Sequence, residues 1–127
     1  MNVNDLKILI CDDSLLSRKK LKDCISSLNC TSIFEAADGE EAVNAYKEHQ
    51  PNIVFMDIIM PKKDGIEALK EILEINPDAT VVMASSVGTQ SYLNEAIRYG
   101  ACDFLQKPID PAQVKNYIDS YCAGEEF

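Results

Sequence analysis

Residues 6–14 read LKILICDDS, and this stretch decides the fold. Its first six residues are apolar except for Lys7, which predicts a buried β-strand. From Ser14 onward the apolar residues change to helical spacing. The positions expected on the inner face of that helix are Leu15, Leu21, Ile25 and Leu28. A buried strand followed directly by an amphipathic helix indicates a βα unit.

The same unit is repeated along the rest of the chain. Further strands are predicted at residues 31–36, 53–56, 81–84 and 102–106. Asp64-Gly65 is expected to form a turn in the loop before the third helix, Gly100 to end the fourth helix, and Asp110-Pro111 to begin the fifth. Five such units predict an α/β fold of the (βα)5 type, a doubly wound five-stranded parallel sheet.

Length and charge limit the class of protein. The chain has 127 residues, so we expect one domain spanning residues 1–127 with its core at about residues 5–122. Twelve basic against 21 acidic residues give a net charge of −9, which disfavours binding to nucleic acid or to an anionic membrane. The N-terminus lacks the pattern of a signal peptide, and we expect a cytoplasmic monomer.

Cysteine and histidine usage gives no sign of disulfides or of zinc. The five cysteines are odd in number and none is spaced C-x-x-C, so we expect small buried apolar side chains. His49 is the single histidine and is expected to be a solvated surface residue. One histidine excludes both a histidine-rich zinc cluster and a histidine-based catalytic triad.

Polar side chains follow four of the predicted strands. They are Asp12 and Asp13 after the first, Asp57 after the third, Ser85 and Ser86 after the fourth, and Lys107 after the fifth. Doubly wound sheets bind ligands beyond the carboxyl ends of their strands. Clustered carboxylates repel one another unless a cation is bound, and Mg²⁺ prefers oxygen ligands. With an ammonium and a hydroxyl nearby, the set suits a phosphoryl group, and Asp57 is the carboxylate flanked by the others.

These residues carry a resemblance to a known family. Asp12-Asp13, residues 57–61 (DIIMP) with Gly65, Ser85, and Lys107-Pro108 resemble the motifs of the receiver domain of two-component response regulators. The resemblance covers residues 5–122 and implies a flavodoxin-like fold with strand order 2-1-3-4-5. It also implies that the chain is a signalling module that catalyses only its own phosphorylation and dephosphorylation.

The resemblance implies a role for each site residue. Asp57 would accept a phosphoryl group from the phosphohistidine of a histidine kinase, while Lys107 and Ser85 would bind its oxygens and the amide of Ser86 would help. The implied Mg²⁺ ligands are Asp12, Asp13, Asp57 and the backbone carbonyl of Ile59. The implied switch residues are Ser85 and Phe104. Because Ile59 and Val87 are apolar at positions that often tune dephosphorylation, we expect a phosphoryl group that is not unusually short-lived.

Residues 83–90 (MASSVGTQ) look most similar to chemotaxis-type receivers. This implies a stand-alone messenger that binds the flagellar motor switch through the face of helix 4, strand 5 and helix 5, with a phosphatase as a further partner. A phosphorelay intermediate stays open. A Mg²⁺-dependent phosphatase is disfavoured, because Ile59 stands where such enzymes need a second acid. A flavin carrier is disfavoured because Asp12 and Asp13 would repel the flavin phosphate.

Overall fold

The computed structural model describes residues 2–86 and 90–124 and contains one parallel sheet of order β2-β1-β3-β4-β5. The strands are β1 Lys7–Cys11, β2 Ser32–Ala36, β3 Ile53–Asp57, β4 Val81–Ser85 and β5 Asp103–Gln106. The α-helices are α1 Leu15–Ser26, α2 Gly39–His49, α3 Gly65–Ile75, α4 Leu93–Tyr99 and α5 Pro111–Cys122. Short 3-10 turns cover Val3–Asp5 and Gln90–Tyr92. The predicted α/β architecture and its strand order are confirmed.

The sheet separates two apolar cores. Alternate residues of each strand point to opposite faces, so Leu9 of β1 packs with α2, α3 and α4, while Ile8 and Ile10 pack with α1 and α5. The three central strands are buried from β1 Ile8 onward, as both faces of a parallel sheet require. This double cover fixes where the strands end, and therefore where the polar residues after them lie.

Side-chain caps explain four of the five α-helix starts. Ser14 accepts a hydrogen bond from the amide of Ser17 at the start of α1, and Gly100 ends α4 with a positive φ of 118°. The expectation that Asp64-Gly65 forms a loop turn was wrong. Asp64 is the N-cap of α3 and accepts from the amide of Glu67, so Gly65 is the first helical residue.

Three sequence expectations about burial fail. Leu15 is 72% exposed, because at 100° per residue it lies about 120° around the helix from Leu21 and about 80° from Ile25, the two buried residues of α1. Cys11 and Cys30 are buried, but Cys102, just before the edge strand β5, is exposed. His49 is not simply solvated, because its ring stacks on Phe34 with centroids 3.8 Å apart.

Across the part of the chain that the structure describes, no helix has both the length and the apolar character needed to cross a bilayer.

Candidate functional site

The carboxyl edge of the sheet brings together the polar residues that follow its strands. Asp57 ends β3 between β1 and β4, since Met56 pairs with Cys11 and Asp57 pairs with Ala84. Ser85 ends β4 opposite Gln106, the last residue of β5. The next residues along β1 and β5 are Asp12, Asp13 and Lys107. The strand ends therefore place all of these residues at one edge.

Three carboxylates form a compact acidic cluster at this edge. One oxygen from each of Asp12, Asp13 and Asp57 lies within 4.8 Å of the others. Asp12 and Asp57 are buried, whereas Asp13 is exposed. Burial raises the pKa of Asp57 above its ordinary value, and the charge and hydrogen bond of Lys107 offset this only in part. The protein's own groups therefore do not fully stabilise the ionised form of Asp57.

Lys107 bridges the two buried carboxylates. Its Nζ lies 2.8 Å from Oδ2 of Asp12 and 3.1 Å from Oδ2 of Asp57. Burial lowers the pKa of the Lys107 ammonium, but hydrogen bonds and charge from Asp12 and Asp57 together outweigh that and raise it. Lys107 is thus a fixed positive charge beside the Asp57 carboxylate, whose Oδ1 accepts the amide of Ile58 at 3.0 Å.

Ser85 carries a buried hydroxyl. The residue has no exposed surface, and within residues 2–86 and 90–124 its Oγ has no hydrogen-bond partner. A buried hydroxyl without a partner costs free energy in the folded state, so its retention calls for an explanation such as a ligand. The ligand would have to offer an acceptor oxygen.

Two other predicted site residues lie at the surface. The side chain of Ile59 is about half exposed next to the cluster, and Phe104 on β5 is 44% exposed. The backbone carbonyl of Phe104 accepts a hydrogen bond from the hydroxyl of Tyr117 on α5 at 3.4 Å. Val87, named in the prediction about phosphoryl lifetime, lies outside the described residues.

Two contacts at this edge were missed by sequence reasoning. The amide of Gly65 donates to the carbonyl of Ile58 at 2.7 Å, and a Cβ at Gly65 would overlap the backbone of Asp57. The spacing of Asp64 and Glu67 is the capping signal that could have placed this helix start. Arg18 reaches back from α1 to the carbonyl of Asp12, at 2.6 Å, and no sequence motif indicated that contact.

The donor set suits a hard divalent cation. Carboxylate oxygens are the ligands that Mg²⁺ prefers, and Mg²⁺ is usually held by one or two of them together with water and phosphate oxygens. The crowded carboxylates would be relieved by such a cation. The unpaired Ser85 hydroxyl would donate to an oxygen of a bound phosphoryl group. The residues present therefore fit both groups.

Comparisons with known proteins agree with this geometry. Residues 8–119 match the model of the response regulator receiver domain. The chain is 45% identical to the chemotaxis protein CheY of Thermotoga maritima over 85% of this chain and 90% of that one. It is 43% identical to CheY of Bacillus subtilis over 89% of this chain and 94% of that one.

A solved structure gives the same result at the level of the fold. The CheX-CheY-BeF3-Mg²⁺ complex from Borrelia burgdorferi contains a chain with a TM-score of 0.84 and 40% identity, covering 91% of this chain and 88% of that one. A match to the family model over most of the chain, at this identity to full-length relatives, shows the family. The protein belongs to the response regulator receiver domain family.

Proposed function

We propose that this receiver domain takes a phosphoryl group onto Asp57 from the phosphohistidine of a histidine kinase, with Mg²⁺ bound at the acidic cluster. The observation that carries the proposal is the environment of Asp57. Its carboxylate is buried and lies 3.1 Å from the Lys107 ammonium. At the same edge, the Ser85 hydroxyl is buried and has no partner within the described part of the chain. That set can both present a nucleophile and bind the oxygens of a phosphoryl group.

The reaction would be a direct transfer between two side chains. A carboxylate oxygen of Asp57 attacks phosphorus and forms the new P–O bond. The P–N bond to the donor imidazole breaks, and its electron pair stays on the imidazole nitrogen. The Lys107 ammonium would bind one phosphoryl oxygen, and the Ser85 hydroxyl would donate a hydrogen bond to another. The protein's contribution is positioning and charge stabilisation.

Asp12, Asp13 and Asp57, with the backbone carbonyl of Ile59, would hold the Mg²⁺ ion. When bound, the ion supplies positive charge that neutralises the phosphoryl oxygens. Lys107 already occupies one oxygen of Asp12 and one of Asp57, so it orients both carboxylates before any cation arrives. The chain's own residues thereby preorganise the site.

The signal would leave through the face of α4, β5 and α5. Phosphorylation adds charge and acceptor oxygens beside Ser85, and a move of Ser85 toward them opens space for the Phe104 ring. Large apolar side chains are exposed on this face and the turn before it, at Tyr92, Ile97, Tyr99 and Phe104. Exposed apolar surface is typical of protein-binding sites where it is contiguous.

We propose chemotaxis as the pathway and the flagellar motor switch as the output partner. The support is the identity of the relatives, which include chemotaxis proteins named CheY. A phosphatase is a further proposed partner, since the Borrelia relative was solved in a complex with CheX, BeF3 and Mg²⁺. We also propose that residues 1–127 form a single cytoplasmic receiver domain that acts as a monomer.

Intact mass tests the acceptor. Wild-type protein incubated with acetyl phosphate and Mg²⁺ should gain about 80 Da, the mass of one phosphoryl group. Asp57→Asn should gain nothing. Asp23→Asn, which changes an exposed aspartate of α1 in the same way, should match the wild type. Equal modification of Asp57→Asn would remove Asp57 as the acceptor.

Binding measurements test the output. Beryllofluoride-treated protein should bind a purified motor-switch protein at least tenfold more tightly than untreated protein. Ile97→Asp on α4 should abolish that gain, while Ile75→Asp, an equally exposed isoleucine at the end of α3, should leave it intact. Phosphoryl transfer from Asp57 to a histidine of a second protein would instead favour the phosphorelay.

A further inference from the structure

We propose that Arg18 is a positioning residue for the cation site, because it fixes the peptide plane that orients Asp13. The proposal rests on the Mg²⁺ site described above. Arg18 lies in the second turn of α1, and its side chain is 14% exposed. Its Nη1 donates to the backbone carbonyl of Asp12 at 2.6 Å, and its Nε donates to Oε1 of Glu35 at 3.2 Å.

Asp12 is held by the protein at every polar group it has. Its amide donates to the carbonyl of Ala36, and its Oδ1 accepts from the amide of Ser14. Its Oδ2 accepts from Lys107, and its carbonyl oxygen accepts from Arg18. Among the described residues, the Arg18 contact is the one that acts on the peptide group between Asp12 and Asp13.

Asp13 depends on that peptide group more than its neighbours do. Its side chain is exposed. Its carboxylate lies near those of Asp12 and Asp57, but it forms no hydrogen bond or ion pair with a described residue. The carbonyl of Asp12 and the amide of Asp13 belong to one planar unit, so fixing the carbonyl fixes the start of Asp13. Arg18 therefore sets the direction from which Asp13 can reach a cation.

The guanidinium is itself held in place. Glu35 on β2 accepts from Arg18 with one oxygen and lies 3.3 Å from the ammonium of Lys22 with the other. A planar guanidinium can serve the carboxylate and the carbonyl at once from a fixed fork, which an ammonium cannot do. Glu35, Arg18 and the Asp12 carbonyl thus form a chain of contacts from β2 to the acidic cluster.

Charge and position predict opposite outcomes when Arg18 is removed. Arg18 is positive, so if it acted only through its charge, removing it would strengthen cation binding. If it acts by orienting ligands, removing it should weaken cation binding. Loss of a partner that orients a metal ligand typically costs 10-fold to 100-fold in affinity.

Isothermal titration calorimetry of the purified protein with MgCl₂ distinguishes an effect of charge from an effect of ligand orientation. Arg18→Gln should weaken Mg²⁺ binding about tenfold. Lys22→Gln makes the same charge change on the same glutamate without touching Asp12, and its affinity should stay within twofold of the wild type. Arg18→Lys keeps the charge but loses the fork, and should also bind Mg²⁺ more weakly than the wild type.

Acetyl phosphate kinetics provide a readout that a general loss of structure would not reproduce. For Arg18→Gln, the Mg²⁺ concentration for half-maximal phosphorylation should rise about tenfold, while the rate at saturating Mg²⁺ stays within twofold. If Arg18→Gln does not fold, Arg18→Lys carries the test, because it keeps the positive charge and loses the fork. In the double variant, Glu35→Gln should add nothing to Arg18→Gln.

Four results would overturn the inference. Arg18→Gln that binds Mg²⁺ as tightly as the wild type or more tightly removes Arg18 as a positioning residue, and so does a weakening that Lys22→Gln reproduces. A fall in the saturating rate with unchanged half-saturation does the same. A wild-type protein that binds no Mg²⁺ overturns the proposed cation site, and this inference with it.

Discussion

The polar side chains at the two edges of the sheet find hydrogen-bond partners in different ways. At the amino edge, polar side chains meet neutral partners: Asn52 donates to the hydroxyl of Tyr121, and Asn76 donates to that of Tyr46. At the carboxyl edge, two buried carboxylates share one ammonium, from Lys107, and Ser85 has no partner among the described residues. These amino-edge side chains are hydrogen-bonded within the protein, whereas the carboxyl edge keeps a polar group without a partner among the described residues.

This difference separates a structural edge from a functional one. A cleft of about 430 Å³ opens at the amino edge, yet the amides that line it also tie the strands together. Asn52, for example, accepts the amide of Lys7 at 2.9 Å and so joins the starts of β1 and β3. Unsatisfied groups are tolerated where a ligand supplies what is missing, and such sites trade stability for function.

The largest expected effect on stability comes from Gly65→Ala, which adds one methyl group at the carboxyl edge. Gly65→Ala would place a Cβ against the carbonyl of Asp57 and the Cα of Ile58, and this strand-end backbone cannot yield easily. We expect a loss of about 3 kcal/mol in the free energy of unfolding. Chemical denaturation monitored by circular dichroism measures it.

Gly124→Ala is the control for Gly65→Ala. Gly124 has a φ of 77°, but a methyl group added there would meet no atom within 4 Å, so only backbone strain of about 1 kcal/mol is expected. Equal losses in the two variants would mean that contact with Asp57 does not matter.

The second prediction concerns the loss of hydrogen bonds at the amino edge. Asn52→Ala removes the acceptor for the Lys7 amide and the donor to the Tyr121 hydroxyl. We expect a loss of about 2 kcal/mol, since each hydrogen bond contributes about 1 kcal/mol net. Tyr121→Phe removes only the second contact and should cost about half as much. Unchanged stability in Asn52→Ala would show that the amino edge is not held by these bonds.

The fold was predictable because buried strands and amphipathic helices differ in their period. The run at residues 6–11 and the switch at Ser14 need no tertiary knowledge. Burial of single residues was harder. Leu15 fits a loose helical pattern but faces solvent, and His49 is covered by Phe34 from a different element. Contacts between distant elements leave no local signal in the sequence.

The composition of the site followed from a single topological rule, that parallel strands end at one edge. The contacts between the side chains of the site did not follow from that rule. The position of Lys107 after β5 does not indicate that its ammonium bridges Asp12 as well as Asp57. Nor does a serine at a strand end reveal that the Ser85 hydroxyl is buried and has no partner in residues 2–86 and 90–124. Those facts depend on side-chain direction and packing, which spacing alone does not define.

The third prediction concerns pH and has the opposite sign to the second. Because the pKa of Asp57 is raised in the folded state, its contribution to stability is present below its ordinary pKa and lost as pH rises through the folded-state pKa. Asp57→Asn does not titrate and should be about 1 kcal/mol more stable than the wild type at neutral pH without Mg²⁺. The advantage should shrink toward acidic pH.

Unfolding by denaturant across pH, with chelator present, measures the effect of Asp57→Asn. Asp23→Asn, on the exposed side of α1, should follow the wild-type pH profile. A variant that is less stable than the wild type at neutral pH would show that Lys107 fully compensates the buried carboxylate.

The smallest stability effect is expected at Ser85. Ser85→Ala removes a buried hydroxyl that has no partner among the described residues, so the free energy of unfolding should stay within about 0.5 kcal/mol of the wild type or rise slightly. Phosphorylation by acetyl phosphate should nevertheless slow by roughly 100-fold, because a donor to the transferred group is lost. Ser27→Ala removes a hydroxyl that does donate, to the carbonyl of Cys24, and should lower stability without changing the phosphorylation rate. If Ser85→Ala were instead strongly destabilised, its hydroxyl would be part of the fold, and the contrast between the two edges would fail at this residue.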